Sequence, residues 1–241
     1  MRIAMWSGPR NLSTAMMYSF GARDDCAIWD EPFYAAYLAR TGLAHPMAAE
    51  IIAAGVRDAD RARALCLGGV PGGKAVFYQK HMVHHLQAGA DHGWIGEMVN
   101  VFLIRHPARV IASYHHKHEH PRLDDLGFRQ QADLFDWLRL QGKAAPVVID
   151  SADIRANPEA MLRALCARIG LAFDPAMLHW PAGGHADDGV WAPHWYNAVW
   201  QSTGFADAEG PLPEVPTELV PVLEQALPYY QKLAAEKTGS Q

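Results

Sequence analysis

The residues near the start of the chain that could do chemistry are Ser7-Gly8-Pro9-Arg10-Asn11-Leu12-Ser13-Thr14, which follow a short apolar run and precede a helical pattern. Strand, tight loop and helix in that order bring backbone N–H groups and the positive end of a helix onto an anion, phosphate above all. Gly8 allows curvature, Arg10 offers a bidentate donor fork, and Ser13 and Thr14 offer hydroxyls. Three or four charge-assisted bonds of about 1.5–3 kcal/mol each suffice for micromolar nucleotide binding, about −8 kcal/mol. The spacing is not the G-x-x-x-x-G-K-[ST] loop of Mg-dependent nucleoside triphosphatases. Counted from Gly8, Ser13 stands at the second glycine, Thr14 at the lysine and Ala15 at the metal-binding hydroxyl. The loop therefore suits an anion without the Mg-ATP apparatus, or is a plain strand–turn–helix corner.

The elements that must position this loop are legible as short apolar runs at 3–6, 27–29, 75–78, 101–104 and 147–149. Most are near-continuous rather than alternating, which suits strands buried on both faces of a parallel sheet. Helical patterns intervene at about 12–22, 48–67, 108–118, 128–141 and 158–169. The last is the clearest: Met161, Leu162, Leu165, Cys166 and Ile169 form one stripe, behind an Asn157-Pro158-Glu159 start. A final helix at about 217–233 should bury Leu219, Leu223, Leu227 and Tyr230, with Pro228 kinking or ending it. Alternating strands and helices predict an open, three-layer α/β fold with a central, mainly parallel sheet of about five strands. Glycine- and proline-rich stretches mark a turn at 68–73 and, at 181–189 and 204–216, flank a tryptophan-rich centre within a segment of about 181–216. That segment is a candidate mobile lid or a set of surface connections.

Composition bounds the rest. The 241 residues suggest one domain over 1–241, with 21 basic against 26 acidic side chains and a formal charge of −5. That balance argues against a polybasic surface for nucleic acid. No run approaches the roughly 20 apolar residues of a membrane span. No leader pattern is visible at the start. Cys26, Cys66 and Cys166 are too few and too scattered for a disulfide framework and read as buried thiols. Together these features predict a cytoplasmic protein, with no nucleic-acid or membrane partner and an open oligomeric state, a homodimer included.

Two further segments carry the resemblance. Val101-Phe-Leu-Ile-Arg105-His-Pro107-Ala-Arg109-Val-Ile-Ala-Ser113 reads as a strand ending in arginine and a helix with serine two turns along. Val147-Val-Ile-Asp150-Ser-Ala-Asp153-Ile-Arg-Ala-Asn157-Pro158 reads as a strand, an acidic turn and a capped helix. With the first loop, these resemble sulfotransferases that use 3′-phosphoadenosine 5′-phosphosulfate (PAPS), a family with a P-loop-like sheet. The resemblance implies that Gly8, Pro9, Arg10, Asn11, Leu12, Ser13 and Thr14 hold the 5′ end, and Arg105 and Ser113 the 3′-phosphate. It implies sulfuryl transfer to a hydroxyl or amine of a small acceptor, with no obligatory metal. Asn11 and Leu12 replace the more usual small pair, and the family's C-terminal Arg/Lys-x-Gly-x-x-Gly element is not recognisable. Trp191 and Trp195, with Tyr196, stand near its place and either stack on adenine or pack in the core.

Arg10 would stabilise the leaving phosphate, and the acceptor needs a base. The resemblance offers two: Glu31, in Asp30-Glu31-Pro32 after the second strand, and His81, in Lys80-His81 after the third. Histidine is poised near neutral pH, whereas Glu31 needs burial to raise its pKa. Lys80 would assist at the bridging oxygen or be solvated. The histidines at 81, 84, 85, 115, 116, 118 and 120 lack a paired-cysteine or HExxH spacing, so no native metal site is expected. A nucleotide kinase or hydrolase, and a nucleotide-binding module without catalysis, are the competing readings.

Overall fold

A computed structural model of the chain describes residues 1–86, 89, 91–115, 121–142 and 144–239. Five strands, β1 (Arg2–Ser7), β2 (Cys26–Asp30), β3 (Val76–Met82), β4 (Val99–Ile104) and β5 (Val147–Asp150), form one sheet in the order β2-β3-β1-β4-β5. Every pairing is parallel. Between the strands lie α1 (Ser13–Gly21), α2 (Tyr34–Thr41), α3 (Ala48–Ala54), α4 (Ala59–Leu67), α5 (Pro107–His115), α6 (Leu123–Leu126) and α7 (Phe128–Leu140), and β5 is followed by α8 (Ser151–Ala156) and α9 (Pro158–Ile169). After the sheet come α10 (Ala192–Trp195), α11 (Asn197–Trp200) and α12 (Val220–Ala234).

Alternation along the strands divides the core. Ile3 and Met5 of β1 pack with Tyr78, Val101, Leu103 and Leu162 on one face, and Ala4 and Trp6 with Phe102, Ile104 and Phe135 on the other. Both faces are covered, so the strands are apolar along their whole length, as the runs in the sequence required. β1 lies centrally; the connection from it runs to the β2 edge, whereas the connection from its neighbour β3 runs to β4 on the other side of β1. The loop after β1 therefore opens at the point where strand order reverses, which is where ligands of open α/β sheets bind.

Several expectations are corrected. The helical pattern at 48–67 is two helices, α3 and α4, because the chain turns extended at Gly55 (φ −97°, ψ 178°). A side chain on Gly55 would meet the Ala35 methyl at 2.5 Å. Helix α2 was not foreseen, since its register follows directly on the Glu31-Pro32 turn. β3 extends to Met82, so Lys80 and His81 lie inside the strand rather than after it. Pro228 lies within α12 and does not end it. The buried residues at that end are Leu219, Ala226 and Leu233, whereas Leu223, Leu227 and Tyr230 are only partly buried. In the tryptophan-rich stretch Trp191, Ala192 and Tyr196 belong, with Trp180 just before it, to the core that contains Ile3 and Met5. The cysteines are free and buried. No helix among the described residues is long and apolar enough to cross a membrane.

Candidate active site

A cleft of about 350 Å³ opens beside the β1 loop and gathers Pro9, Arg10, Asn11, Leu12, Ser13 and Thr14 with Glu31, Lys80, Arg105 and Ser113. Residues from all three sequence segments thus meet in one place. Arg10 (φ 62°) and Leu12 (φ 68°) are left-handed, an arrangement that turns successive backbone N–H groups toward one concave side. Helix α1 starts at Ser13, so its first N–H groups have no intrahelical acceptor. Arg10 Nε donates to Ser113 Oγ at 2.9 Å, and Arg105 Nη1 donates to the Arg10 carbonyl at 2.8 Å. Burial and the neighbouring Arg105 lower the Arg10 pKa, and among the described residues no carboxylate pairs with Arg10.

Two loop residues act differently from expectation. Gly8 does not line the cleft; a side chain there would come within 2.2 Å of the Leu126 carbonyl, so glycine is needed for packing against α6. Asn11 is buried and its Nδ2 donates to the Leu103 carbonyl at 3.2 Å, which ties the loop to β4. Gln131 braces the same corner, donating to the carbonyls of Trp6 (3.0 Å) and Leu103 (2.9 Å).

The base candidates separate cleanly. β3 alternates, so Lys80 faces the cleft and His81 faces the other side of the sheet. His81 stacks on Trp6 with ring centroids 4.3 Å apart, and its Nε2 is 3.1 Å from Gln79 Oε1. It is not among the cleft residues, and burial lowers its pKa to about 3. The expectation of His81 as base is corrected on that ground. Glu31 lines the cleft, in a left-handed turn (φ 43°), with its carboxylate on Lys80. Lys80 is not solvated: it is 2 % exposed and donates to Glu31 Oε1 (2.6 Å), Asp30 Oδ1 (2.9 Å) and Tyr196 Oη (2.6 Å). Burial alone would lower its pKa, but the two carboxylates hold it above the ordinary lysine value. Burial raises the Glu31 pKa, Lys80 opposes that rise, and Asp30 adds to it.

Sequence reasoning missed the aromatic and histidine wall next to Glu31. His85 is stacked between Tyr34 (4.6 Å) and Tyr37 (4.8 Å), with Nδ1 3.9 Å from Glu31 Oε2. His45 Nδ1 lies 2.7 Å from the Tyr34 hydroxyl. Burial pushes the pKa of His84 down to about 4 and lowers that of His85 well below the ordinary histidine value. Trp191 and Trp195 both border the cleft, but Trp191 is buried, donates to Tyr196 Oη at 3.0 Å and meets the Tyr34 ring edge-on. Core packing accounts for its position. His116, His118 and His120 lie outside the described residues. Among the described residues no cluster of three ligating side chains could hold a metal.

Also missed was an ion cluster around a buried carboxylate at the arginine end of the cleft. Glu209, on the loop before α12, reaches Arg105, Arg109 and Arg155. Arg109 stands one helical turn into α5 and Arg155 lies in α8, both inside segments already singled out. Glu209 sits alone in a loop with no pattern to reveal it.

Sheet order and loop define an α/β protein of the P-loop-like class. The chain belongs to the sulfotransferase family: the family described as Sulfotransferase domain matches residues 1–237. Its fold is similar to the sulfotransferase domain from the olefin synthase of Synechococcus PCC 7002 (TM-score 0.56, 15% identity, 92% of this chain and 93% of that one). It is also similar to a sulfotransferase from Alicyclobacillus acidocaldarius (TM-score 0.55, 12% identity, 99% and 97%). In sequence it is 35% and 34% identical, over 231 residues, to the branched-chain-amino-acid aminotransferase-like proteins 2 and 1 of Arabidopsis thaliana. Those matches cover 96% of this chain and 41% of each relative, so the chain spans well under half the length of these relatives.

Proposed function

We propose that the chain transfers a sulfuryl group from PAPS to a hydroxyl or amine of a small acceptor. The observation that carries this reading is the meeting of Arg10, Ser13 and Thr14 with Arg105, Ser113 and the Glu31–Lys80 pair in one cleft. The donor supplies an activated sulfuryl group, whose S–O bond to phosphate breaks as the acceptor oxygen or nitrogen bonds to sulfur. The β1 loop and the start of α1 bind the 5′ end, and Arg10 holds the charge that develops on the leaving phosphate. Arg105 and Ser113 take the 3′-phosphate. Glu31 Oε2 accepts the acceptor's proton, and Lys80 keeps the carboxylate oriented through Oε1. Tyr34, His45, His84 and His85 line the acceptor side. Trp195 flanks the nucleotide side.

Calorimetry with 3′-phosphoadenosine 5′-phosphate (PAP), the desulfated product, against Mg-ATP tests this. Micromolar binding of PAP and weak binding of Mg-ATP are expected; the reverse preference sinks the reading in favour of a kinase or hydrolase. Turnover of PAPS on a panel of small hydroxyl and amine acceptors then separates an enzyme from a module that only binds nucleotide.

A further inference from the structure

We propose that Arg105, Arg109 and Arg155 form one phosphate clamp, that Glu209 occupies it in the free protein, and that a nucleotide 3′-phosphate binds by displacing that carboxylate. The identity of the displacing group rests on the PAPS reading; the clamp and its occupant rest on geometry.

The Glu209 side chain is 2 % exposed although Ala206, Asp207, Ala208 and Gly210 around it are exposed. Arg105 Nε donates to Glu209 Oε1 at 3.0 Å, and Arg105 Nη2 donates to the same oxygen. Arg155 Nη1 donates to Oε1 at 3.1 Å, while Arg109 Nε lies 2.8 Å from Oε2. Three guanidinium groups therefore converge on one carboxylate, an excess of positive charge that a single glutamate leaves uncompensated. A phosphate dianion brings two charges and three terminal oxygens to the same forks.

The location agrees. Arg105 and Arg155 line the same cleft as Arg10 and Ser113, and Arg105 also holds the Arg10 carbonyl. The clamp is thus continuous with the β1 loop. The segment carrying Glu209 is pinned at its two ends, by Phe205 against Trp180 (5.2 Å) and by Val215 against the cluster of Val110 and Ile111. Between those anchors the ties to the clamp are polar: Glu209 itself, Arg155 Nε to the Asp207 carbonyl (2.8 Å) and Arg109 to the Gly210 carbonyl. Withdrawing Glu209 therefore uncovers no apolar core. Nucleotides without a 3′-phosphate have nothing to exchange for the carboxylate, so the strap selects for the phosphorylated ribose.

The test is calorimetry on wild type, Glu209→Gln, Arg109→Ala and Arg155→Ala with two probes, PAP and adenosine 5′-phosphate. Glu209→Gln should bind PAP about tenfold more tightly, the loss of one charge-assisted competitor, and adenosine 5′-phosphate unchanged. Arg109→Ala and Arg155→Ala should weaken PAP and leave adenosine 5′-phosphate unchanged. If Glu209→Gln does not fold, Glu209→Asp, which withdraws the carboxylate by one methylene, should also tighten PAP. PAP affinity that stays the same or falls in the glutamate variants, or a gain shared by both nucleotides, overturns the proposal while leaving the PAPS reading intact. Failure of every protein to bind either nucleotide overturns both.

Discussion

The cleft is bounded by two charge clusters of opposite excess, one buried and one partly buried. At one end a single cation, Lys80, sits between two carboxylates, Asp30 and Glu31. At the other a single carboxylate, Glu209, sits among three arginines. Both bury ionised groups, which is expensive unless each is paired. The sign left over differs, and it says what each end is fit to receive. The acidic cluster has one negative charge more than it needs, so it can take a proton. The basic cluster has two positive charges more than it needs, so it can take an anion. A group transferred from an anionic donor to a protic acceptor needs one of each.

The largest effects should come from the acidic end. Glu31→Gln keeps shape and removes the proton acceptor, and turnover should fall about 10²–10⁴-fold with PAP affinity unchanged. His81→Asn, on the far side of the sheet, should retain turnover; abolition by His81→Asn instead would return the base to β3. The pH profile sharpens this. A base works unprotonated, so activity is lost as pH falls through its pKa. Burial raises that of Glu31, so the acid limb of kcat/KM should lie above the ordinary carboxylate range. Lys80→Met should lower stability by about 3–5 kcal/mol, because it leaves two buried carboxylates without their cation. Chemical denaturation measures this; an unchanged midpoint would mean that the cluster is not ionised.

At the basic end Arg105→Ala should weaken PAP by about 1.5–3 kcal/mol, one set of charge-assisted bonds. Adenosine 5′-phosphosulfate, which lacks the 3′-phosphate, should be nearly unaffected. Equal losses for the two nucleotides would show that Arg105 acts only through the Arg10 carbonyl it holds.

The two ends also differ in how far the sequence reveals them. Arg10 and Arg105 follow strand ends, where an apolar run stops and a polar residue must follow, and Ser113 lies two turns along the helix after Arg105. Their meeting follows from parallel-sheet topology, because adjacent strands deliver their carboxyl ends to one rim. Glu31 is legible for the same reason. His81 misled because strand length decided its side: β3 continues past the apolar run at 75–78 to Met82, which turned a strand-end histidine into a core residue facing Trp6. The split of the 48–67 helix turned on the contact of Gly55 with Ala35, which is tertiary. Glu209 was invisible because its burial is set by arginines 54 to 104 residues away.

The smallest effect isolates the two ends from each other. Tyr196 Oη donates to Asp30 Oδ2 at 2.7 Å and accepts from Lys80 and Trp191 Nε1. Tyr196→Phe removes that hydroxyl but leaves Lys80 with both carboxylates and Asp30 with the Gly189 N–H at 3.2 Å. The buried Trp191 Nε1 loses its acceptor, so the loss should be about 1–3 kcal/mol. Because Arg105 reaches the β1 loop and Glu209 rather than Asp30, Tyr196→Phe and Arg105→Ala share no partner. Their effects on stability should add to within about 0.5 kcal/mol. A larger departure from additivity would show that the acidic and basic ends are coupled through the loop between them, so that filling one changes the other.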